Sequence, residues 1–240
     1  MLSLFLWGID PLYIWVVTPL MLLSLWASMR VKGTFARYNQ QPTRSGYSGA
    51  DAARMILDAA GIRDVQIAAV PGMLSDHYDP AKKVVALSTE VLEGRTPAAI
   101  AEAAHECGHA IQDQQGYQPM RLRARLVPVA NLGSMLAVPL IIFGILMKFA
   151  GLAWLGIVGF GFAVLFHLVT LPVEFDASRR AIRILEASGI VARDELVGVR
   201  KTLYAAGFTY VASALYAAGE LIYWLVRSGL LTGSRSSDES

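Results

Sequence analysis

Residues 103–112 read AAHECGHAIQ and contain His105, Glu106 and His109 in the pattern His-Glu-x-x-His. Successive residues of an α-helix turn by about 100°, so the two histidines would lie about 40° apart on one face. Two imidazoles placed in this way can bind one metal ion, and Glu106 can reach a water in an open position of that ion. The stretch therefore predicts a helical zinc site able to activate water.

The flanking sequence favours a helix at this place, although three fixed residues also fit an ordinary helix that carries the pattern by chance. Thr96 is placed as an N-cap, Pro97 follows at the first helical position, and Gly116 is expected to end the helix. The face opposite the histidines is apolar and is expected to pack in a core. It consists of Ile100, Ala103, Ala104, Cys107 and Ile111.

The composition indicates a membrane protein. Hydrophobic residues make up 55% of the 240 residues and charged residues 17%, against roughly half and a quarter in ordinary globular proteins. A net charge of +2 gives no general electrostatic support for a nucleic-acid partner. Cys107 is the single cysteine, which excludes an intramolecular disulfide.

Four stretches are long and apolar enough to cross a bilayer, which takes about 20 residues. They run over residues 12–29, 127–147, 149–171 and 203–226, and Glu220 interrupts the last. The N-terminus lacks a basic n-region and is interpreted as a retained helix rather than a signal peptide. The predicted division is a first transmembrane helix at 1–29, a polar segment with the HExxH helix at 30–126, a transmembrane hairpin at 127–171, a polar helix at 172–202, a fourth hydrophobic helix at 203–232 and a disordered tail at 233–240.

The cations predict the orientation in the bilayer. By the positive-inside rule, both polar segments face the cytoplasm, where they can build one site. The cations that flank these segments are Arg30, Lys32, Arg37, Arg44, Arg121, Arg123, Arg125, Arg179, Arg180, Arg183, Arg200 and Lys201, and only Lys148 marks the opposite side of the hairpin.

The first polar segment has the pattern of an α+β structure. A helix is expected between Ser48, with Asp51 three residues on, and the stop at Gly61. VQIAAV and KKVVALS are strand-like runs separated by the turn-rich PGMLSDHYDPA. KKVVALS fits equally an edge strand that pairs with an extended substrate and a purely structural strand. The fold class predicted is α+β, mainly α, with about four transmembrane helices and a cytoplasmic part holding a short β-hairpin or small sheet.

A third metal ligand has to come from an acidic residue of the second polar segment or from His77. A helix beginning near Val173 would place Glu174 on the same face as Ser178, Ala181 and Leu185. It would turn Asp176 about 160° away, which suits an N-terminal charge or an arginine partner. Glu174 is therefore the better ligand.

Four segments in order resemble a known family: LSDHYDP, AAHECGHAIQ, GYQPMRLRARLVPVANLGSML and LPVEFDASRRA. Together they resemble the YugP-like family of neutral zinc metallopeptidases of bacterial membranes, over residues 46–206. The resemblance implies a gluzincin-type, zincin-like peptidase in the bacterial inner membrane, multi-pass, that hydrolyses peptide or protein substrates. It also implies His105, His109 and Glu174 as zinc ligands and Glu106 as the general base.

The chain is more distantly similar to the HtpX-type membrane gluzincins, and here one position departs from the pattern. In that type an aspartate follows the ligand glutamate by four residues and supports a zinc histidine, whereas this chain has Ser178. Such partners fix the tautomer of a zinc histidine. Asp176, Glu102 or a backbone carbonyl is expected to take that role.

Two further residues lie in the turn before the second strand-like run. His77 or Tyr78 is a candidate donor for the oxyanion of a peptide-hydrolysis intermediate. The alternative is a turn stabilised by Asp76, Asp79 and Pro80.

The function predicted from the sequence is a membrane-bound zinc metallopeptidase acting on peptides or proteins, including membrane proteins. The competing hypothesis is a non-catalytic membrane scaffold or chaperone-like binder that keeps a zinc site, and a zinc hydrolase with another substrate also fits the motif. The sequence leaves the oligomeric state open.

Overall fold

The structure, a computed structural model, describes residues 10–229. Within this range the chain is mainly helical and has one small sheet. The elements are α1 (Pro11–Tyr38), α2 (Gly49–Ala59), β1 (Gln66–Val70), β2 (His77–Asp79), β3 (Val84–Ser88), α3 (Thr89–Glu93), α4 (Pro97–Gln114), α5 (Gln118–Leu146), α6 (Ala150–Ser188) and α7 (Leu196–Arg227). The tail predicted to be disordered, 233–240, lies outside the described residues.

The chain divides into two compact units, and four of the helices contribute residues to both. The helical unit contains the described parts of Met1–Trp26, Leu122–Thr170 and Tyr210–Ser240. The α+β unit contains Ala27–Arg121 and Leu171–Thr209. The second unit therefore joins the two stretches of sequence that were predicted as polar segments.

Three helices of the described range are long and apolar enough to cross a membrane, namely α1, α5 and α6. Each covers one of the first three predicted spans, although Met147 and Phe149 lie just outside α5 and α6. The fourth predicted span lies in α7, which is not among these three helices, so a fourth crossing remains a prediction. In the helical unit the backbones of α5 and α6 lie close together at two glycines. A Cβ on Gly133 would lie only 2.4 Å from the carbonyl oxygen of Gly159.

Glu220 of α7 is buried in the helical unit and has three hydrogen-bond donors. Its carboxylate accepts from the hydroxyls of Tyr13 at 2.7 Å and Tyr216 at 2.9 Å, and from the indole of Trp224 at 3.1 Å. Tyr13 belongs to α1, so the cluster joins the beginning of α1 to the end of α7. These contacts identify the partners of the one acidic residue in the last apolar stretch.

In the α+β unit the sheet has the strand order β1-β3-β2. β1 pairs with β3 in parallel and β2 pairs with β3 antiparallel. The interpretation of KKVVALS as an edge strand is therefore wrong, because β3 lies between two partners. β2 forms inside the segment interpreted as a turn, and its three residues are too few to show an alternating pattern.

The helix that carries HExxH begins and ends where the sequence predicts. The Thr96 side chain accepts a hydrogen bond from the Ala99 amide at 3.2 Å, Pro97 follows, and Gly116 has a φ of +64°. The helix α2 likewise has the capping box of Ser48 and Asp51. Every residue of α4 from Pro97 to Gln112 is buried, which places the motif in the core of the α+β unit.

The helix with the candidate third ligand does not begin near Val173. It is the C-terminal part of α6, which continues through Pro172 from Ala150. The face predicted for this segment is nevertheless present, because Glu174, Ser178, Ala181 and Leu185 are all buried. Helical periodicity depends only on spacing, so an error in the start of the helix left the face unchanged.

Candidate metal centre

The structure brings together the three residues predicted as metal ligands. The Oε2 atom of Glu174 lies 3.1 Å from Nε2 of His105 and 3.5 Å from Nε2 of His109. Ligand atoms of the three residues all lie within 4.8 Å of one another. The three side chains are buried, with 2% of Glu174 and 7% of each histidine exposed.

The remaining ring nitrogens are already occupied by other partners. Nδ1 of His105 lies 3.1 Å from the Ser178 hydroxyl, and Nδ1 of His109 lies 2.9 Å from Oε1 of Gln112. Both Nε2 atoms therefore face the Glu174 carboxylate. Two imidazole nitrogens and one carboxylate oxygen are the donor set of many catalytic zinc sites, which keep a fourth position open for water. The residues present fit a zinc ion.

Ser178 and Gln112 are the partners of the two histidines at Nδ1, so the expectation of Asp176, Glu102 or a backbone carbonyl is wrong on this point. Asp176 instead accepts from Gln112 at 2.8 Å and from Arg180 at 2.5 Å, as expected for an arginine partner. The serine supplies a hydroxyl at the position where the HtpX type has a carboxylate. Gln112 was missed, although its place three residues after His109 on one helix is a signal for contact.

A close approach of two helices positions the ligands. A Cβ on Gly108 would lie 2.7 Å from the carbonyl oxygen and 3.1 Å from the Cα of Ala177. The α4 backbone therefore touches the α6 backbone between the two residues of α6 that contact His105, which are Glu174 and Ser178. A side chain at Gly108 would push these helices apart.

The electrostatics of α4 favour a cation at the site. Burial alone would lower the pKa of His105, but the hydrogen bond with Glu174 and the charge of Glu106 raise the pKa to about 9. The neighbouring carboxylates therefore favour positive charge at this position, which a bound metal ion would supply. Burial raises the pKa of Glu102 to about 7, so this carboxyl carries only part of its charge near neutral pH.

Glu106 lies next to His105 on α4, and its side chain is buried. Its position one residue from His105 gives it the angular offset of about 100° that the sequence predicts. A carboxylate there can contact a water at the metal without replacing a ligand. Its role as general base stays a prediction.

His77 and Tyr78 lie on opposite faces of β2. The Tyr78 hydroxyl donates to Asp113 of α4 at 2.9 Å, and the same carboxylate accepts from Lys83 at 2.5 Å. His77 is exposed, and its Nδ1 lies 2.9 Å from the Ser75 carbonyl oxygen. In this structure Tyr78 anchors the sheet to the end of α4, and the oxyanion role of either residue stays a prediction.

Comparison with known proteins agrees with this geometry. A family described as "Putative neutral zinc metallopeptidase" matches residues 13–229. The chain belongs to this family. "Putative membrane protease YugP" of Bacillus subtilis (strain 168) is 44% identical over 215 residues, which cover 90% of this chain and 96% of that protein. No solved structure matches the chain.

Membership in this family gives zinc as the metal, and the structure groups His105, His109 and Glu174 as a possible site for it. The name of the relative and the three apolar helices together indicate association with a membrane. The relative is described as a protease, which supports a peptide or protein as the substrate class.

The contact at Gly108 leads to a prediction for the substitution Gly108→Ala. Because the new Cβ would overlap backbone atoms of Ala177, α4 and α6 must separate and Glu174 must move away from the two Nε2 atoms. We expect zinc affinity to fall at least about tenfold and the free energy of unfolding to fall by about 1–3 kcal/mol. Competition with a chelating dye and thermal unfolding measure the two effects.

Gly33→Ala is the matched control, because a Cβ at this helical glycine would meet nothing within 4 Å. It should leave zinc affinity unchanged and stabilise the helix slightly. Equal zinc affinity in both variants would contradict the positioning role of the Gly108 contact.

Proposed function

We propose that this chain is a membrane-associated zinc endopeptidase in which His105, His109 and Glu174 bind the zinc and Glu106 is the general base. The observation that carries the proposal is the convergence of two imidazole Nε2 atoms on one buried carboxylate. This convergence occurs in a chain that belongs to a zinc metallopeptidase family.

The chemistry of the reaction follows from the positions of these side chains. When bound, zinc polarises the scissile carbonyl and lowers the pKa of its water to about 7. The Glu106 carboxylate accepts the proton of the attacking water and then donates it to the nitrogen of the leaving amine. Ser178 and Gln112 hold the two rings by their Nδ1 atoms, which leaves both Nε2 atoms on the side of Glu174, where they would hold the ion.

The substrate class proposed is peptide segments presented at a membrane surface, such as loops or tails of membrane proteins. Glu174 follows the predicted span at 149–171 by three residues, and the continuous helix α6 contains Glu174 and the span from Ala150 onward. A ligand this close to the end of an apolar segment favours cleavage near the bilayer edge. The family and its curated relative support a protease in general terms.

The side of the membrane proposed for this site is the cytoplasm. Both polar segments carry the clustered cations of the chain, and both contribute to the α+β unit. Segments that build one compact unit must lie in one compartment, and the positive-inside rule assigns that compartment.

The catalytic role is tested with Glu106→Gln. This variant keeps the size of the side chain but removes the proton acceptor, so we expect peptidase activity to fall by about 10²–10⁴-fold while zinc content stays the same. Glu93→Gln, at an exposed position of α3, is the control and should retain full activity. Unchanged activity in Glu106→Gln would contradict the role of Glu106 as general base. No activity in the wild type at full zinc occupancy would favour the non-catalytic binder.

The substrate class is tested with one peptide sequence presented in two ways to zinc-loaded enzyme in liposomes. The peptide is either free in solution or anchored to the same bilayer by an apolar helix. We expect the anchored form to be cleaved at least about tenfold faster, because anchoring raises its local concentration at the site. Equal rates for free and anchored peptide would contradict a site placed at the membrane surface.

The cytoplasmic location is tested by labelling two single substitutions with a membrane-impermeant thiol reagent. Met73→Cys lies in the α+β unit at a position with 71% exposure, and Lys148→Cys lies between α5 and α6. In intact spheroplasts we expect labelling of Lys148→Cys alone, and of Met73→Cys only after lysis. The wild type is the control because Cys107 is fully buried. The opposite labelling pattern would reverse the orientation.

A further inference from the structure

The hydrogen bonds of Gln112 determine which way its amide points. Gln112 is fully buried, and its Nε2 atom lies 2.9 Å from the Val173 carbonyl oxygen and 2.8 Å from Oδ2 of Asp176. Both partners only accept hydrogen bonds, so the NH₂ group must face them. In the reverse orientation the amide oxygen would face a carbonyl and a carboxylate with no proton between them. The Oε1 atom is therefore the one directed at His109.

This orientation selects the tautomer of His109. An amide oxygen only accepts, so Nδ1 of His109, at 2.9 Å from Oε1, must carry the hydrogen. The lone pair of Nε2 is then available on the side where Glu174 lies. The other histidine differs, because a serine hydroxyl can donate or accept and Ser178 leaves both tautomers of His105 open.

The Gln112 amide links His109 to the α6 backbone beside Glu174. Val173 and Asp176, which accept from Gln112, stand on either side of Glu174 in α6. The hydrogen bonds of Arg180 reach Asp176 and Gln115 but not His109: its Nε donates to Asp176 at 2.5 Å and its Nη1 donates to Gln115 at 2.6 Å. Movement of Gln112 would therefore change the ring of His109 and its register with Glu174 together.

We propose that Gln112 is a positioning residue of the metal site, which selects the Nδ1–H tautomer of His109 and holds that ring in register with Glu174. The inference rests on the ligand assignment made above under the proposed function, but not on catalysis. It assigns to the end of the sequence HECGHAIQ a role in metal affinity rather than in folding alone.

The first test compares zinc affinity in Gln112→Met and Arg180→Gln, both in the full chain purified in detergent. Methionine has nearly the length of glutamine without its hydrogen bonds, so we expect zinc affinity to fall about 10–100-fold. Arg180→Gln breaks the ion pair with Asp176 but leaves the contact between Gln112 and His109, so its zinc affinity should change less than about threefold. An equal loss in both variants, or no loss in Gln112→Met, would overturn the inference.

The second test exchanges donor and acceptor between positions 112 and 176. Gln112→Glu alone places a carboxylate against Asp176 and the Val173 carbonyl, and should weaken zinc binding. In the double variant with Asp176→Asn, the new amide at position 176 donates to the new carboxylate at position 112. The other oxygen of that carboxylate again accepts from Nδ1 of His109. The double variant should bind zinc at least about tenfold more tightly than Gln112→Glu alone. Failure of this rescue would show that the hydrogen bond to His109 does not govern affinity.

A nitrogen-15 spectrum of histidine-labelled, zinc-loaded protein reads the tautomer directly, and the chain has only four histidines to assign. The Nδ1 of His109 should carry a proton in the wild type, and that signal should shift or broaden in Gln112→Met. Wild-type protein that binds no zinc would refute the proposed metal site itself. Wild-type protein that binds zinc, with an unchanged Gln112→Met variant, would refute only this inference.

Discussion

The rest of this structure depends on the contact between the buried Glu174 carboxylate and the two histidines of α4. The Glu174 side chain is 2% exposed, and a charge so far from water is tolerated only beside an opposite charge or a metal. The two Nε2 atoms of α4 provide those partners, and zinc is the ion that this donor set fits. The requirement that α4 and α6 meet at this carboxylate then constrains the α+β unit around it.

That requirement explains several features which are otherwise unconnected. Gly108 removes the side chain that would separate the two helices at Ala177. Ser178 and Gln112 contact the Nδ1 nitrogens of the rings, and they belong to α6 and α4, the helices that carry the three candidate ligands. Two helices, one carrying HExxH and the other continuous with an apolar segment, thus supply both the proposed ligands and the groups that contact their Nδ1 atoms.

The sequence correctly predicts those structural features that depend on the spacing of residues within one helix. The caps of α4, the shared face of the histidines and the face of Glu174 all follow from helical periodicity, and the structure has each of them. The order of the strands did not follow, because pairing between strands depends on tertiary contacts that local pattern does not encode. The continuation of α6 through Pro172 was missed for a similar reason, since packing on both sides of a proline outweighs its local preference against helix.

The partners of His105 and His109 also depend on tertiary contacts, and the sequence did not predict them. Analogy with a carboxylate-based pattern directed attention to Asp176 and Glu102, while the structure uses the neutral groups of Ser178 and Gln112. A neutral partner holds a ring in place without adding negative charge to a site that already contains Glu106 and Glu174. Which neutral group contacts which ring depends on the relative rotation of two helices distant in sequence, and that is a property of the packed structure.

The most direct test of this account is a crystal of the zinc-loaded protein measured at the zinc absorption edge. The account predicts one anomalous peak per chain, about 2.0–2.2 Å from Nε2 of His105, Nε2 of His109 and a carboxylate oxygen of Glu174. A peak bound by other residues, or a zinc ion that contacts the histidines while Glu174 stays away from it, would contradict it.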